Sequence, residues 1–148
     1  MSHGTPEPMP ELKTLNFLIG NWYSEGEVSA TSKEPVIKIK GTDKYEWVLD
    51  DSFILHSVDV IMGDEKIKVI EIIGYDKGNN KYILRSFNNQ GSITEMQAQL
   101  DTESVLLITG DKMRSKLSVH SDSNYMTAHW EKSEDGITWF PWMDMNFK

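Results

Sequence analysis

The chain has 148 residues, no Cys and a formal net charge of −8, with 39% hydrophobic and 26% charged residues. That balance suits one globular domain with its own core, and it excludes a disulfide scaffold, a thiolate metal site and a cysteine nucleophile. The acidic excess, with Lys38, Lys40, Lys44, Lys66 and Lys68 interspersed among acids on outward strand positions, makes nucleic acid and anionic membranes poor partners. No apolar run approaches the roughly 20 residues of a membrane span. No charged-then-apolar leader opens the chain, so a cytoplasmic location is expected.

Residues 1–10 carry Pro6, Pro8 and Pro10 without apolar periodicity and read as a loose arm, leaving residues 11–148 as one domain. Leu12, Leu15, Phe17, Leu18 and Ile19 then give an apolar face on about two turns of helix, ended by Gly20. Gly20-Asn21-Trp22 opens the first strand. From there turn signals recur: 32–35, Asp50-Asp51, Gly63-Asp64-Glu65, 77–80, 88–91, Asp101-Thr102-Glu103, Gly110-Asp111, 121–124 and 133–136. About ten strands separated by short turns predict an all-β, antiparallel up-and-down barrel with a short N-terminal helix capping one end.

Alternation assigns the faces, because a half-buried strand turns every second side chain inward. The second strand puts Ile37, Ile39, Tyr45, Trp47 and Leu49 inside, opposite Lys38, Lys40, Lys44 and Glu46. Ile54, His56, Val58, Val60 and Met62 form the next inward stripe, although Phe53, Leu55 and Ile61 blur it. In the fourth strand Ile67, Val69, Glu71, Ile73 and Tyr75 point inward, unless a bulge near Val69-Ile70 reverses the strand and expels Glu71. Thr94, Met96, Ala98 and Leu100 follow, then Leu117 and Val119, then Met126, Ala128 and Trp130, and finally Trp139, Met143, Met145 and Phe147. His120 and His129 fall on the outside, which leaves His56 as the one inward histidine.

Gly20-x-Trp22 after a helical plug resembles the opening of the lipocalin and calycin superfamily. More closely, Gly26, Glu46-Trp47-Val48-Leu49-Asp50, Gly74-Tyr75-Asp76 and Trp130-Glu131 with Asp135-Gly136-x-Thr138-Trp139 resemble a bacterial lipocalin-like family of unknown function, over roughly residues 12 to 148. The resemblance implies a barrel with an internal cavity and no agreed activity. More distantly, the opening is similar to that of nitrobindin-like barrels, which bind haem through a histidine. The chain departs from disulfide-bonded lipocalins in lacking Cys and in having only Lys148, not an Arg, available to stack on Trp22.

The candidate ligand-contacting residues are Tyr45, Trp47, His56, Glu71, Arg85, Met96, Trp130, Met143 and Met145. Met and aromatic side chains accept irregular ligand shapes, and equally they fill a core. Inward polar groups carry more information, since burying them costs free energy unless they are partnered. Glu71 and Arg85 would form an internal ion pair if both faced inward; the mixed strand Tyr82-Ile83-Leu84-Arg85-Ser86-Phe87 equally allows Arg85 to face water. His56 is a haem ligand, a general base or a satisfied core histidine. His3, His56, His120 and His129 lack metal-ligand spacing, and there is no nucleophile elbow or phosphate loop. Two inward acids suited to a hydrolase reduce to Glu71 with Asp43.

The leading expectation is non-enzymatic binding of a small hydrophobic or amphipathic molecule, as carrier or sensor. Three alternatives stand beside it: haem binding through His56, an isomerase- or cyclase-type enzyme with Glu71 as base, and a packed structural or interaction module whose outward Ile70 and Ile72 mark a partner or homodimer surface.

Overall fold

The computed structural model describes residues 10–102, 104–120 and 124–148. Residues 1–9 of the expected arm, the turn residue Glu103 and residues 121–123 of another turn lie outside the described residues, while Pro10, the last residue of that arm, opens the helical segment instead. Ten strands follow one short helical segment: β1 (Gly20–Val28), β2 (Ile37–Val48), β3 (Phe53–Met62), β4 (Glu65–Asp76), β5 (Lys81–Asn88), β6 (Ile93–Thr102), β7 (Val105–Thr109), β8 (Met113–His120), β9 (Tyr125–Lys132) and β10 (Phe140–Phe147). Each pairs antiparallel with its chain neighbours, and β1 closes on β10, so the sheet is a closed up-and-down barrel. Closure leaves no strand edge unpaired.

Period-2 alternation sorts the side chains as expected along most strands. Ile39 and Tyr45 on β2, Ile54 and Val60 on β3, Met96 and Ala98 on β6, and Met126 and Ala128 on β9 are all buried. At the closing seam, Gly26 lies between Met145 of β10 and Ile39 of β2. A Cβ there would press into the Asp144 carbonyl and the Met145 side chain, so only glycine lets the first and last strands approach this closely.

The N-terminal segment plugs one end but is not two turns of one helix. It is a single α turn, α1 (Pro10–Lys13), followed by a 3₁₀ turn at Asn16–Leu18. The buried residues Leu12, Leu15 and Leu18 recur every third position, the spacing at which 3₁₀ side chains eclipse. Thr14 Oγ1 also bonds back to the Glu11 carbonyl, competing with helix continuation. The plug is fastened by Trp22 Nε1 donating to the Leu18 carbonyl at 2.8 Å, and by Tyr82 Oη donating to the Glu11 carbonyl at 2.5 Å.

Two further details differ from the sequence reading, Leu49 and Trp139, and two alternatives it left open are resolved, at β4 and at Arg85. Leu49 is 71% exposed, because β2 ends at Val48 and the turn takes Leu49, Asp50 and Asp51 to positive φ. No bulge interrupts β4 near Val69-Ile70, since its pairing with β3 runs unbroken from Glu65 to Ile73 and Glu71 stays inside. Trp139 precedes β10 rather than lining the interior, and the Arg114 guanidinium sits 4.1 Å over its ring. Arg85 is on the outer face: with Tyr82 and Leu84 buried, the parity of β5 sends Arg85 to solvent.

Candidate functional site

Three neighbouring hairpin strands build the polar wall of the interior. The two-residue turn Gly63-Asp64 places residues equidistant from it opposite one another, and His56 and Glu71 are such a pair. The Asp50-Asp51 turn does the same for Tyr45 and His56. Tyr45, His56 and Glu71 therefore form one cross-strand row on the inner face. Asp43 is two residues from Tyr45 on that face, a diagonal neighbour of His56.

The side chains use this placement fully. His56 Nε2–H donates to Asp43 Oδ2 at 2.6 Å, and Nδ1–H donates to Glu71 Oε1 at 3.0 Å. The Tyr45 ring stacks on the imidazole, with centroids 3.9 Å apart and planes 9° from parallel. Ser24 Oγ donates to the second Asp43 oxygen at 2.5 Å. Ser24, Asp43 and Glu71 are all buried. Burial by itself would lower the His56 pKa; the hydrogen bonds it donates to Asp43 and Glu71 and their charges outweigh it and raise the value from 6.5 to about 9. The ring is thus an imidazolium at neutral pH. Tyr45 is pushed well above its ordinary value, first by burial and then by the charges of Asp43 and Glu71, so it stays a neutral phenol.

This cluster borders an interior cavity of about 250 Å³. Of the candidate ligand contacts, Tyr45, His56, Glu71, Met96, Trp130, Met143 and Met145 line it, with Val58, Val60 and Ile108 among the apolar remainder. Trp47 and Arg85 do not. Trp47 is half-buried against the plug, where its Nε1–H donates to Asn16 Oδ1 at 3.2 Å. Arg85 lies outside, 60% exposed at its side chain, with Nη2 2.5 Å from Glu95 Oε1 on β6. The internal Glu71–Arg85 pair does not form; Glu71 pairs with His56 instead.

Three polar groups escaped the sequence reading, one of them Ser86, which lines the cavity and donates its Oγ–H to the Thr94 carbonyl at 3.4 Å. Ser24 follows Trp22 on the inward stripe of β1, so the alternation itself carried the signal. Ser115, two residues before Leu117 on β8, also lines the cavity, and its Oγ is buried without a hydrogen-bond partner among the described residues. An unpaired buried hydroxyl is a feature that needs a reason.

Haem ligation through His56 does not fit this geometry. An axial ligand must present a ring-nitrogen lone pair, and both His56 nitrogens are committed as donors to carboxylates. Among the described residues no group of three or more His, Asp or Glu is arranged to hold a metal ion.

The fold and its interior define a closed ten-stranded antiparallel β-barrel with a part-polar internal cavity. The chain belongs to the DUF1579 family, a protein family of unknown function, whose model matches residues 7–148. Comparison with curated proteins finds no match.

Proposed function

We propose that this barrel binds a small hydrophobic or amphipathic molecule in its interior, as a non-enzymatic carrier or sensor. The observation that carries the reading is the joint presence of an apolar cavity of about 250 Å³ and a buried polar cluster on one wall. Ligand sites are typically concave and mostly apolar, with a few placed polar groups. The volume lies just under the ~300–1,000 Å³ of common ligand pockets, which suits a compact molecule. One domain over residues 11–148 would serve this role, and a cytoplasmic setting agrees with the absence of Cys.

Native mass spectrometry of freshly purified protein, beside denaturing spectra, tests the reading. A non-covalent adduct that leaves on denaturation is expected from the wild type. Ala128 lines the cavity, and Ala128→Phe should abolish the adduct by filling that space. A clean apo mass, together with no saturable thermal stabilisation by small apolar molecules, would reject the reading.

A second reading draws on the same cluster. Strongly perturbed groups in a cavity mark acid–base sites as well as binding sites, and an isomerase- or cyclase-type reaction would use Glu71 as base. Turnover of the bound molecule that Glu71→Gln abolishes would favour it over carriage.

A further inference from the structure

The cavity contains two acids, Asp43 and Glu71, one histidine, and no Lys or Arg. With both His56 nitrogens bonded to carboxylates, the imidazolium and the two acids together carry a net charge of −1. An anionic head group would meet that charge. It would also find no charged donor, because both His56 N–H groups are spent on Asp43 and Glu71 and only neutral hydroxyls such as that of Ser115 remain. A carboxylate ligand therefore gains too little from a neutral hydroxyl to offset its desolvation beside that charge.

Acceptors, in contrast, are available. Glu71 Oε1 takes the His56 bond, and Oε2 has no protein partner among the described residues. Across the interior, Ser115 is 5% exposed and its Oγ has no partner among the described residues. Ser115 sits on β8 and His56 on β3, and five steps separate those strands either way around the ten-strand barrel, so they face each other across it. The polar groups thus flank a wall otherwise built from side chains such as Val60, Met96, Ile108 and Met145. The space of about 250 Å³ is worth about eight waters at ~30 Å³ each. That accommodates a short alkyl or single-ring body.

We propose that the barrel interior selects small amphipathic amines, with the ammonium donating to Glu71 Oε2 and the apolar body filling the cavity toward Ser115, and that it rejects carboxylates of the same size. The inference rests on the binding reading above. Charge-assisted hydrogen bonds are about twice as strong as neutral ones, so the head group and not the body sets the preference.

A matched series separates the two levels: hexylamine, hexan-1-ol and hexanoate, titrated calorimetrically near neutral pH and at two salt concentrations. The amine should bind about tenfold or more tighter than the alcohol, and hexanoate should not saturate. Glu71→Gln should bring the amine down to the level of the alcohol and leave the alcohol nearly unchanged. If that variant fails to fold, hexyltrimethylammonium keeps the test open: it carries the charge without an N–H to donate and should bind at least severalfold weaker than hexylamine, and equal binding overturns the bond to Glu71 Oε2. Glu95→Gln, an acid on the outer face paired with Arg85, controls for general attraction of amines to a chain of net charge −8 and should change nothing. Equal binding of all three, or tighter binding of hexanoate, overturns the head-group inference while ligand binding stands. No binding by any member overturns ligand binding itself, and the inference with it.

Discussion

Raising the pH from 6.5 to just above 9 should remove the stabilisation that protonated His56 draws from its two carboxylates. The folded state holds the His56 proton with a pKa of about 9, against 6.5 for an unperturbed imidazole, so folding and proton binding favour each other. The contribution is complete below pH 6.5, declines between the two values and is lost as pH rises through about 9. At about 1.4 kcal/mol per pH unit the displacement corresponds to about 3 kcal/mol. The His56 side chain is only 12% exposed, so solvent screens little of it. In a chain of this size that is a fall in Tm of about 10 °C. Urea melts of wild type and Glu71→Gln across this range isolate the effect, because other titrating groups cancel in the difference. Gln accepts one bond from Nδ1 without bringing a charge, so the variant should show a flatter profile. Its deficit relative to wild type should be largest at the acidic end and shrink toward the alkaline end. A deficit independent of pH would refute the assignment of the stabilisation to the charged cluster.

Three other substitutions probe separate parts of the barrel. Ser115→Ala removes an unpaired buried hydroxyl, and should stabilise the ligand-free protein by about 1 kcal/mol in urea melts. Gly26→Ala drives a methyl into the Asp144 carbonyl and Met145, and should cost about 3 kcal/mol or more, seen as a lowered urea midpoint. Arg85→Ala breaks only an exposed pair with Glu95; its stability should change by less than about 1 kcal/mol, and its ligand affinity, by calorimetry, not at all.

The turns and faces were legible because a barrel strand repeats every two residues, so a few charged positions fix the parity of a whole stripe. Lys38, Lys40 and Lys44 did this for β2. Strand β5 offered a weaker marker: Lys81 shares the parity of Arg85, but Ile83 and Phe87 lie on that same outer face while Tyr82 and Leu84 are buried, and apolar residues on both faces left Arg85 ambiguous. The His56–Glu71 and His56–Tyr45 pairs were within reach, since both turns were visible and equidistance from a tight turn sets the partner. Using parity alone, without that pairing, left His56 looking solitary. Ser115 as an orphan was not legible, because a missing partner depends on every side chain around it. The size of the cavity was hidden for the same reason: Met96, Met143 and Met145 have several rotamers, and the sequence does not say which space they fill.

The seam between β1 and β10 has a consequence for biosynthesis. Tyr23 and Lys148 exchange backbone hydrogen bonds of 2.8 and 2.9 Å, and Gly26 pairs with Met145, so the pairing that shuts the barrel joins residues at opposite ends of the sequence. While the ribosome is still making β10, every other strand can zip to its hairpin neighbour, yet β1 and β9 both stay open to foreign strands. Nascent chains stalled before residue 140 should therefore be the aggregation-prone species, and completion of β10 the step that ends that exposure.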